Sequence, residues 1–461
     1  MLSVLILAAG EGTRMKSDLP KVLHTAAGKA LVEHVLDAVA PCGGQVGVVL
    51  GRGADTVKNR LAARKGLTFF TQKKRRGSGD AVRPAARWLA RRGGDVLVLC
   101  GDAPLVRTET IRALARHHRR EKNAATLLTA EVADPSGYGR IRREQGRPVA
   151  IVEHKDASPD EQRVREINSG TYCFRVRDLL DGLRRLRPNN AKGEYYITDV
   201  VGYLVGRGRP VGALCLPNGD EILGVNNRRE LAEAAQRLNR RTLNQLMDGG
   251  VTIVDPASTF VDAGVRIGPD TVIEPQTFLS GHTRIGARCR IGPMTRLTDC
   301  RVGDGVRLDA TMGENARVDS GARVGPWTRL RPGAVVGRDA HVGNFVELKK
   351  ARLGVGAKVN HLSYLGDAVV GPKTNVGAGV ITCNYDGYQK YATQIGAGAF
   401  IGSNVNLVAP LRVGSGAVVG AGSTLTKNVP AGALAVERSA TTVKPGWAKK
   451  RRLIKLRTSH G

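Results

Sequence analysis

The hydrophobic pattern changes character midway along the chain. Residues 3–9 form an apolar run without polar alternation, and 95–100 form a second (Asp-Val-Leu-Val-Leu-Cys). Both read as buried strands rather than membrane spans, which need about 20 apolar residues. The first runs into Gly10-Glu11-Gly12-Thr13-Arg14-Met15 and the second into Gly101-Asp102-Ala103-Pro104-Leu105. Strands that end in glycine-rich and acidic turns are the pattern of an α/β sheet, whose ligands gather at the carboxyl ends of the strands.

From residue 265 the period is different. An aliphatic residue followed by glycine recurs at Ile267, Ile285, Ile291, Val302, Val324, Val336, Val342, Leu353, Val370, Val376, Ile395, Ile401, Val413 and Val419, mostly at multiples of six residues. A period of six fits neither a helix nor simple strand alternation. It fits a chain that turns a corner every six residues with one aliphatic side chain pointing inward per face, three faces closing a coil of about 18 residues. Glycine after the inward residue is expected to relieve strain at each corner. Departures from the period at 344–351, 361–367 and 382–393 predict loops that leave the prism and carry chemistry. Between the two patterns, 228–247 is rich in helix formers, with leucines at Leu231, Leu238 and Leu243, and predicts a linking helix.

Length and charge refine this picture. A chain of 461 residues exceeds a single core, so at least two domains are expected. We place them at 1–227 and 249–461, joined by the helix at 228–248. The seven cysteines, Cys42, Cys100, Cys173, Cys215, Cys289, Cys300 and Cys383, are scattered without a C-x-x-C pair, as in a reduced, cytoplasmic protein. The net charge of +30 favours anionic ligands. The basic run 449–457 reads as a solvated, unstructured tail.

The candidate chemistry is that of phosphate and thioester. The glycine loop at 10–15 lacks the third glycine of a dinucleotide fingerprint, and no G-x-x-x-x-G-K-[ST] is present. Its amides could still approach phosphate oxygens, with Arg14 and Lys21 neutralising charge. Asp102, at the end of a strand, is a candidate Mg²⁺ ligand, because Mg²⁺ takes hard oxygens and shares its shell with substrate phosphates. His361, in Val-Asn-His-Leu-Ser-Tyr-Leu-Gly-Asp, is the candidate general base among nine histidines.

In order along the chain occur L-A-A-G-x-G-T-R-M, L-P-K-V-L, L-x-G-D-x-P-L, G-Y-G-R-I, V-E-H-K-D-A, E-I-N-S-G, G-E-Y-Y-I-T-D and G-V-N-N-R, followed by the hexapeptide repeats. Over essentially its whole length the sequence resembles the bacterial bifunctional N-acetylglucosamine-1-phosphate uridyltransferase and glucosamine-1-phosphate acetyltransferase family. The resemblance implies a Rossmann-like α/β nucleotidyltransferase with a GT-A-like mixed sheet, then an all-β left-handed parallel β-helix that assembles as a homotrimer. It implies that Leu7, Ala8, Ala9 and Gly10 line the uridine nucleotide, with Arg14 and Lys21 on its phosphates. Gln72, Gly77 and Ser78 would face the uracil. Asp102 and Asn226 would hold Mg²⁺, and Gly139, Glu153 and Asn168 would bind the N-acetylglucosamine moiety of the UDP-sugar.

In the second half the resemblance makes His361 the base and puts Arg331, Lys349, Tyr364, Asn375 and Lys390 on the amino-sugar phosphate. Ala378, Asn384, Tyr385, Ser403, Ala421, Arg438 and Lys444 would contact acetyl-CoA. UTP and acetyl-CoA are the implied co-substrates, and UDP-N-acetylglucosamine for envelope polysaccharides is the implied product. One stretch departs from the family pattern Q-x-x-x-L-G-T-G-H: Gln72 to Asp80 reads Gln-Lys-Lys-Arg-Arg-Gly-Ser-Gly-Asp, with Arg76 and Asp80 in place of Leu and His.

Two other readings compete. One is a nucleotidyltransferase for a different sugar phosphate whose β-helix is only structural, which acetyl-CoA-dependent thiol release would exclude. The other is a polyanion-binding protein on an inactive fold, motivated by the charge. The scarcity of aromatics, 4% of residues, argues against a base-stacking surface, so no specific nucleic-acid partner is expected.

Overall fold

The computed structural model describes residues 2–458. The chain divides into two compact units, Met1–Thr242 and Leu243–Gly461.

The first unit is built on a nine-stranded mixed sheet. Its strands are β1 (Leu2–Ala8), β2 (Gln45–Leu50), β3 (Leu67–Thr71), β4 (Asp95–Cys100), β5 (Ala125–Glu131), β6 (Arg140–Glu144), β7 (Arg147–Val152), β8 (Glu166–Arg175) and β9 (Val211–Leu216). The main path runs β9-β5-β8-β4-β1-β2-β3, with the β6-β7 hairpin attached through β8. β1 is parallel to β2 and β4, whereas β8 runs antiparallel between β4 and β5. The apolar run of β1 is explained by burial on both faces. Val4 and Ile6 join one core with Val32, Val35 and Leu36 of the helix Leu31–Val39 and with Ile111 and Leu114 of Thr108–Arg120. Leu5 joins the other with Leu89, Leu179 and Leu183 from Ala86–Arg92 and Val176–Arg185. Such a sheet brings the carboxyl ends of β1 and β4 side by side, where Gly101 N–H donates to Leu7 O at 2.9 Å.

The second unit is a parallel β-helix. Short strands stack into three sheets of 11, 10 and 9 strands, each coil contributing one strand to each sheet. Ile273 pairs in register with Ile291, Ile285 with Val302 and Val324 with Val342. The repeating aliphatics face the interior, Ile267 only partly and the others fully, in one continuous core. Each such burial contributes roughly 1.5–3 kcal/mol, so the period in sequence is the period of the core.

Two expectations are corrected here. Most glycines of the repeat serve close approach between coils rather than relief of backbone strain, which only Gly292 (φ 105°) and Gly325 (φ 106°) among them provide. A Cβ on Gly268 would stand 2.7 Å from Ala287 N of the next coil, and one on Gly377 2.7 Å from Ser403 N. Elsewhere in the coils, left-handed backbone falls on residues such as Asp270, Arg288 and Asp339. Of the three stretches expected to leave the prism, only the last does so, between Ile381–Cys383 and Thr393–Ile395. Stretches 344–351 and 361–367 stay in the coils: Val346 and Leu348 fill inward positions without a following glycine, and Leu365, which Gly366 follows, fills the next inward position on the face of Leu348.

The basic tail is also not unstructured. Helix Trp447–Thr458 occupies it, in keeping with the helix preference of Ala, Lys, Arg and Leu, and residues 447–452 are exposed. Residues 459–461 lie outside the described part. No described helix is long and apolar enough to cross a membrane, and all seven cysteines are free thiols.

Candidate active sites

In the first unit the nucleotide candidates gather at the carboxyl end of β1. Leu7, Ala8, Ala9 and Gly10 lead into the glycine loop, and Gly12 is left-handed (φ 66°) because Lys21 crosses over it. A Cβ there would sit 2.6 Å from that of Lys21. Arg14, on the short turn Thr13–Met15, is exposed. Glu11 of the loop pairs with Arg75, one of the basic residues of the 73–76 segment.

Lys21 lies between two oxygens that the sequence had put forward as metal ligands. Its ammonium pairs with the Asp102 carboxylate and donates to Asn226 Oδ1 at 3.1 Å. The chain around Asn226 is tied to β4's end by Val225 N–H donating to Asp102 O at 2.8 Å, and Asn226 N–H donates to Glu230 Oε2 at 2.7 Å. Two hard oxygen ligands from distant segments therefore converge on one cation, a donor set that suits a divalent ion shared with phosphates. Cys100, just before this turn, is held as an inert thiol. Burial pushes its pKa up to about 12, and its Sγ donates to Gly170 O at 3.5 Å.

The base candidates form a second cluster. Gln72, buried after β3, donates from Nε2 to Gly77 O at 3.2 Å and to Asp80 Oδ2 at 3.1 Å. Ser78 Oγ accepts from Ile197 N–H at 3.0 Å. Gly77 is required in place, since a Cβ would lie 2.5 Å from Tyr195 O.

The sugar candidates form a third. Asn168 N–H donates to Gly139 O at 2.8 Å, and a Cβ on Gly139 would meet Asn168 Cβ at 3.5 Å and Glu153 Oε2 at 3.6 Å. Burial raises the pKa of Glu153, while Thr198 Oγ1 donates to its Oε1 at 3.3 Å and partly opposes that rise. Asn168 Nδ2 donates to the buried Tyr172 hydroxyl at 2.8 Å.

In the β-helix the register organises the candidates. His361, at the end of Lys358–His361, is exposed and stands in register with Asn344 one coil earlier. Its Nδ1 lies 2.8 Å from Asn344 Oδ1. Arg331 donates to Glu347 at 2.9 Å, and Glu347 is in register with Tyr364. The pKa of Lys349 is lowered, first by its contact with Lys390 and then by Arg331 nearby. Three cations thus crowd one place, a setting for an anion.

Asn384 Nδ2 donates to Asp367 Oδ2 at 2.6 Å, and a Cβ on Gly366 would press on both Asn384 and the Tyr364 hydroxyl. Tyr385 pairs with Lys390 across the one excursion from the prism. Ala378, Ser403 and Ala421 follow one another at a single corner of successive coils, linked by Asn404 N–H to Ala378 O at 2.7 Å and Gly422 N–H to Ser403 O at 2.8 Å. Arg438 Nε donates to Ala421 O at 3.2 Å.

Two candidates stand apart. Asn375 is on the sheet of His361, in register with Lys358 and Phe400. Lys444 lies in the exposed irregular run before the last helix, and its side chain bonds to none of the other candidates. Asn344, Glu347 and Asp367 escaped the sequence reading. Each lies 17 residues before a candidate (His361, Tyr364 and Asn384), one coil back, which is the signal that would have found them.

Comparison with known proteins separates the competing readings. A MobA-like NTP transferase domain model matches residues 4–197, and a bacterial transferase hexapeptide model matches 392–427. Proteins called bifunctional protein GlmU from Pelotomaculum thermopropionicum, Heliobacterium modesticaldum and Desulfitobacterium hafniense are 51%, 48% and 46% identical. The alignments cover 98%, 96% and 98% of this chain and 99%, 96% and 99% of those proteins. The chain belongs to the GlmU family. Membership spans both units, so the GlmU relationship concerns the β-helix as much as the nucleotide half.

Proposed function

We propose that this GlmU-family enzyme makes UDP-N-acetylglucosamine in two steps, one in each unit. In the β-helix, the amine of glucosamine 1-phosphate attacks the thioester carbonyl of acetyl-CoA. His361 takes the amine proton at Nε2, an amide bond forms, the C–S bond breaks and the CoA thiol leaves. The Arg331, Lys349 and Lys390 cluster is the feature that suits the sugar phosphate, together with Tyr364 and Asn375. Ala378, Asn384, Tyr385, Ser403, Ala421, Arg438 and Lys444 are assigned to acetyl-CoA.

In the α/β unit, a phosphate oxygen of N-acetylglucosamine 1-phosphate attacks the α-phosphorus of UTP, and pyrophosphate leaves. No covalent enzyme intermediate is needed, so positioning and charge neutralisation supply most of the rate. Leu7, Ala8, Ala9 and Gly10 line the nucleotide, Arg14 and Lys21 hold its phosphates, Gln72, Gly77 and Ser78 face the base, and Gly139, Glu153 and Asn168 hold the sugar. Asp102 and Asn226 would bind Mg²⁺, which when present neutralises charge on the phosphates. Their convergence on the Lys21 ammonium is the observation that carries the uridylyl reading.

We also propose that the protein works as a cytoplasmic homotrimer. In support, Phe260, Phe278, Met294, Met312, Trp327 and Phe345 are large apolar side chains exposed on the β-helix, the first two stacked 5.2 Å apart.

The experiment supplies glucosamine 1-phosphate, acetyl-CoA, UTP and Mg²⁺ and follows thiol and pyrophosphate separately. His361→Ala should lose thiol release by roughly 10²–10⁴-fold yet still release pyrophosphate when given N-acetylglucosamine 1-phosphate. Asp102→Ala should do the reverse. A wild-type protein that releases no thiol would return the β-helix to a structural role.

A further inference from the structure

The structure shows how Gln72 is oriented. The two groups facing its amide, the Gly77 carbonyl and the Asp80 carboxylate, are both acceptors, so only Nε2 can be turned toward them. Its Oε1 is left on the opposite edge and accepts no hydrogen bond from any described residue. Asp80 is itself fixed. Its second oxygen accepts from Arg83 Nη1 at 3.3 Å, and Arg83 donates to Leu183 O at 3.3 Å and lies 4.3 Å over the Tyr195 ring. Tyr195 also bounds Gly77, so the turn and the carboxylate share one support.

We propose that Asp80 is the positioning residue for base selection in the nucleotide half. By holding the nitrogen edge of Gln72, it presents Oε1 as an obligatory acceptor to the nucleobase. Uracil carries a donor at N3–H and is read by that oxygen. Cytosine carries an acceptor lone pair at N3, which would face Oε1 and repel it. The carboxylate matters because it never donates while ionised. A side chain with both donor and acceptor would let the Gln72 amide turn over and serve either base. This inference rests on the assignment of the Gln72 cluster to the base of UTP, and it gives a task to a residue at which the chain departs from the family pattern.

The test compares kcat/KM for UTP and for CTP, each with N-acetylglucosamine 1-phosphate, in wild type, Asp80→Ala and Asp80→Asn. Acetyl transfer and the thermal transition serve as controls for folding. Any general effect of removing the Asp80 charge on the binding of an anionic nucleotide changes affinity for UTP and CTP alike, so the UTP/CTP ratio isolates base reading. That ratio should fall about tenfold in Asp80→Ala, the worth of one well-placed hydrogen bond, and by a similar factor in Asp80→Asn, whose amide can meet either edge of Gln72. An unchanged ratio, with both nucleotides slowed by one factor, would reduce Asp80 to a structural residue while leaving the UTP site intact. A folded wild type with no preference for UTP would overturn the site assignment and the role of Asp80 together.

Discussion

His361 and Asn344 stand on successive coils in matching register, joined between Nδ1 and Oδ1 at 2.8 Å. An amide oxygen only accepts, so Nδ1 carries the proton and donates, and Nε2 is left with its lone pair for the substrate amine. Asn344→Leu should therefore lower kcat of acetyl transfer about tenfold, the rough value of one such bond, with little change in KM. Asn344→Asp tests the tautomer more sharply. A carboxylate at that place favours the imidazolium, so the acidic limb of the acetyl-transfer pH profile should move to higher pH. A profile that stays put in Asn344→Asp would refute the orienting role.

Lys21 binds the same two oxygens that we assign to Mg²⁺. Its ammonium must give up Asp102 when phosphates and metal arrive, and the phosphates offer it a new partner. Metal should accordingly bind the nucleotide-free protein poorly and tighten when UTP is present. Lys21→Gln should strengthen Mn²⁺ binding to the free protein several-fold, since an attractive competitor is removed, while uridylyl transfer drops by roughly 10²-fold or more for want of the charge. Mn²⁺ titration followed by electron paramagnetic resonance measures the first. Equal Mn²⁺ affinity in wild type, Lys21→Gln and Asp102→Asn would place the metal elsewhere.

Lys349 shares its surroundings with Lys390 and Arg331, and the neighbouring positive charge holds its pKa below the ordinary lysine value. Loss of the Lys349 proton removes a cation from the cluster that we assign to the sugar phosphate. KM for glucosamine 1-phosphate should therefore rise with pH before an ordinary lysine would deprotonate, with kcat less affected. Lys349→Arg should flatten this rise, because a guanidinium keeps its charge throughout. A KM equally pH-dependent in Lys349→Arg would trace the effect to another group.

What the sequence disclosed and what it hid follow from the physics of each half. The six-residue phase was legible because one inward aliphatic per face is a condition of the fold, and residues such as Ile291 and Val342 meet it in a single core. The stretch around Asn344 reads as a loop because Val346 and Leu348 fill inward positions without the glycine that marks the others, whereas around His361 the pair Leu365-Gly366 keeps the pattern and Leu365 is buried in the coil. Likewise, the strand ends of β1 and β4 pointed to Gly10 and Asp102. The tie from Gln72 to Asp80 did not show, because a hydrogen bond between side chains leaves no period in the sequence. Register along the prism is the exception, as contacts such as Asp367 with Asn384 recur one coil apart.

Glu153, which we assign to the sugar site, is a partly buried carboxylate, and burial raises its pKa above the ordinary glutamate value. A carboxyl whose folded pKa is raised stabilises the protein fully below its unfolded pKa, and that contribution is lost as pH climbs through the folded value. At neutral pH the ionised Glu153 therefore weighs against the fold. The substitution Glu153→Gln removes the charge and keeps an amide oxygen that can accept from Thr198. Glu153→Gln should accordingly raise Tm at pH 7–8 and lose that advantage near about pH 3, below the ordinary glutamate value, where the wild-type carboxyl is protonated in both states. The same substitution should raise KM for N-acetylglucosamine 1-phosphate several-fold, since a charged acceptor binds a sugar hydroxyl more strongly than a neutral one. Melting curves across that pH range, set beside the kinetics, check both halves. A Glu153→Gln protein no more stable than wild type at pH 8 would mean that the carboxylate is already compensated in the folded chain.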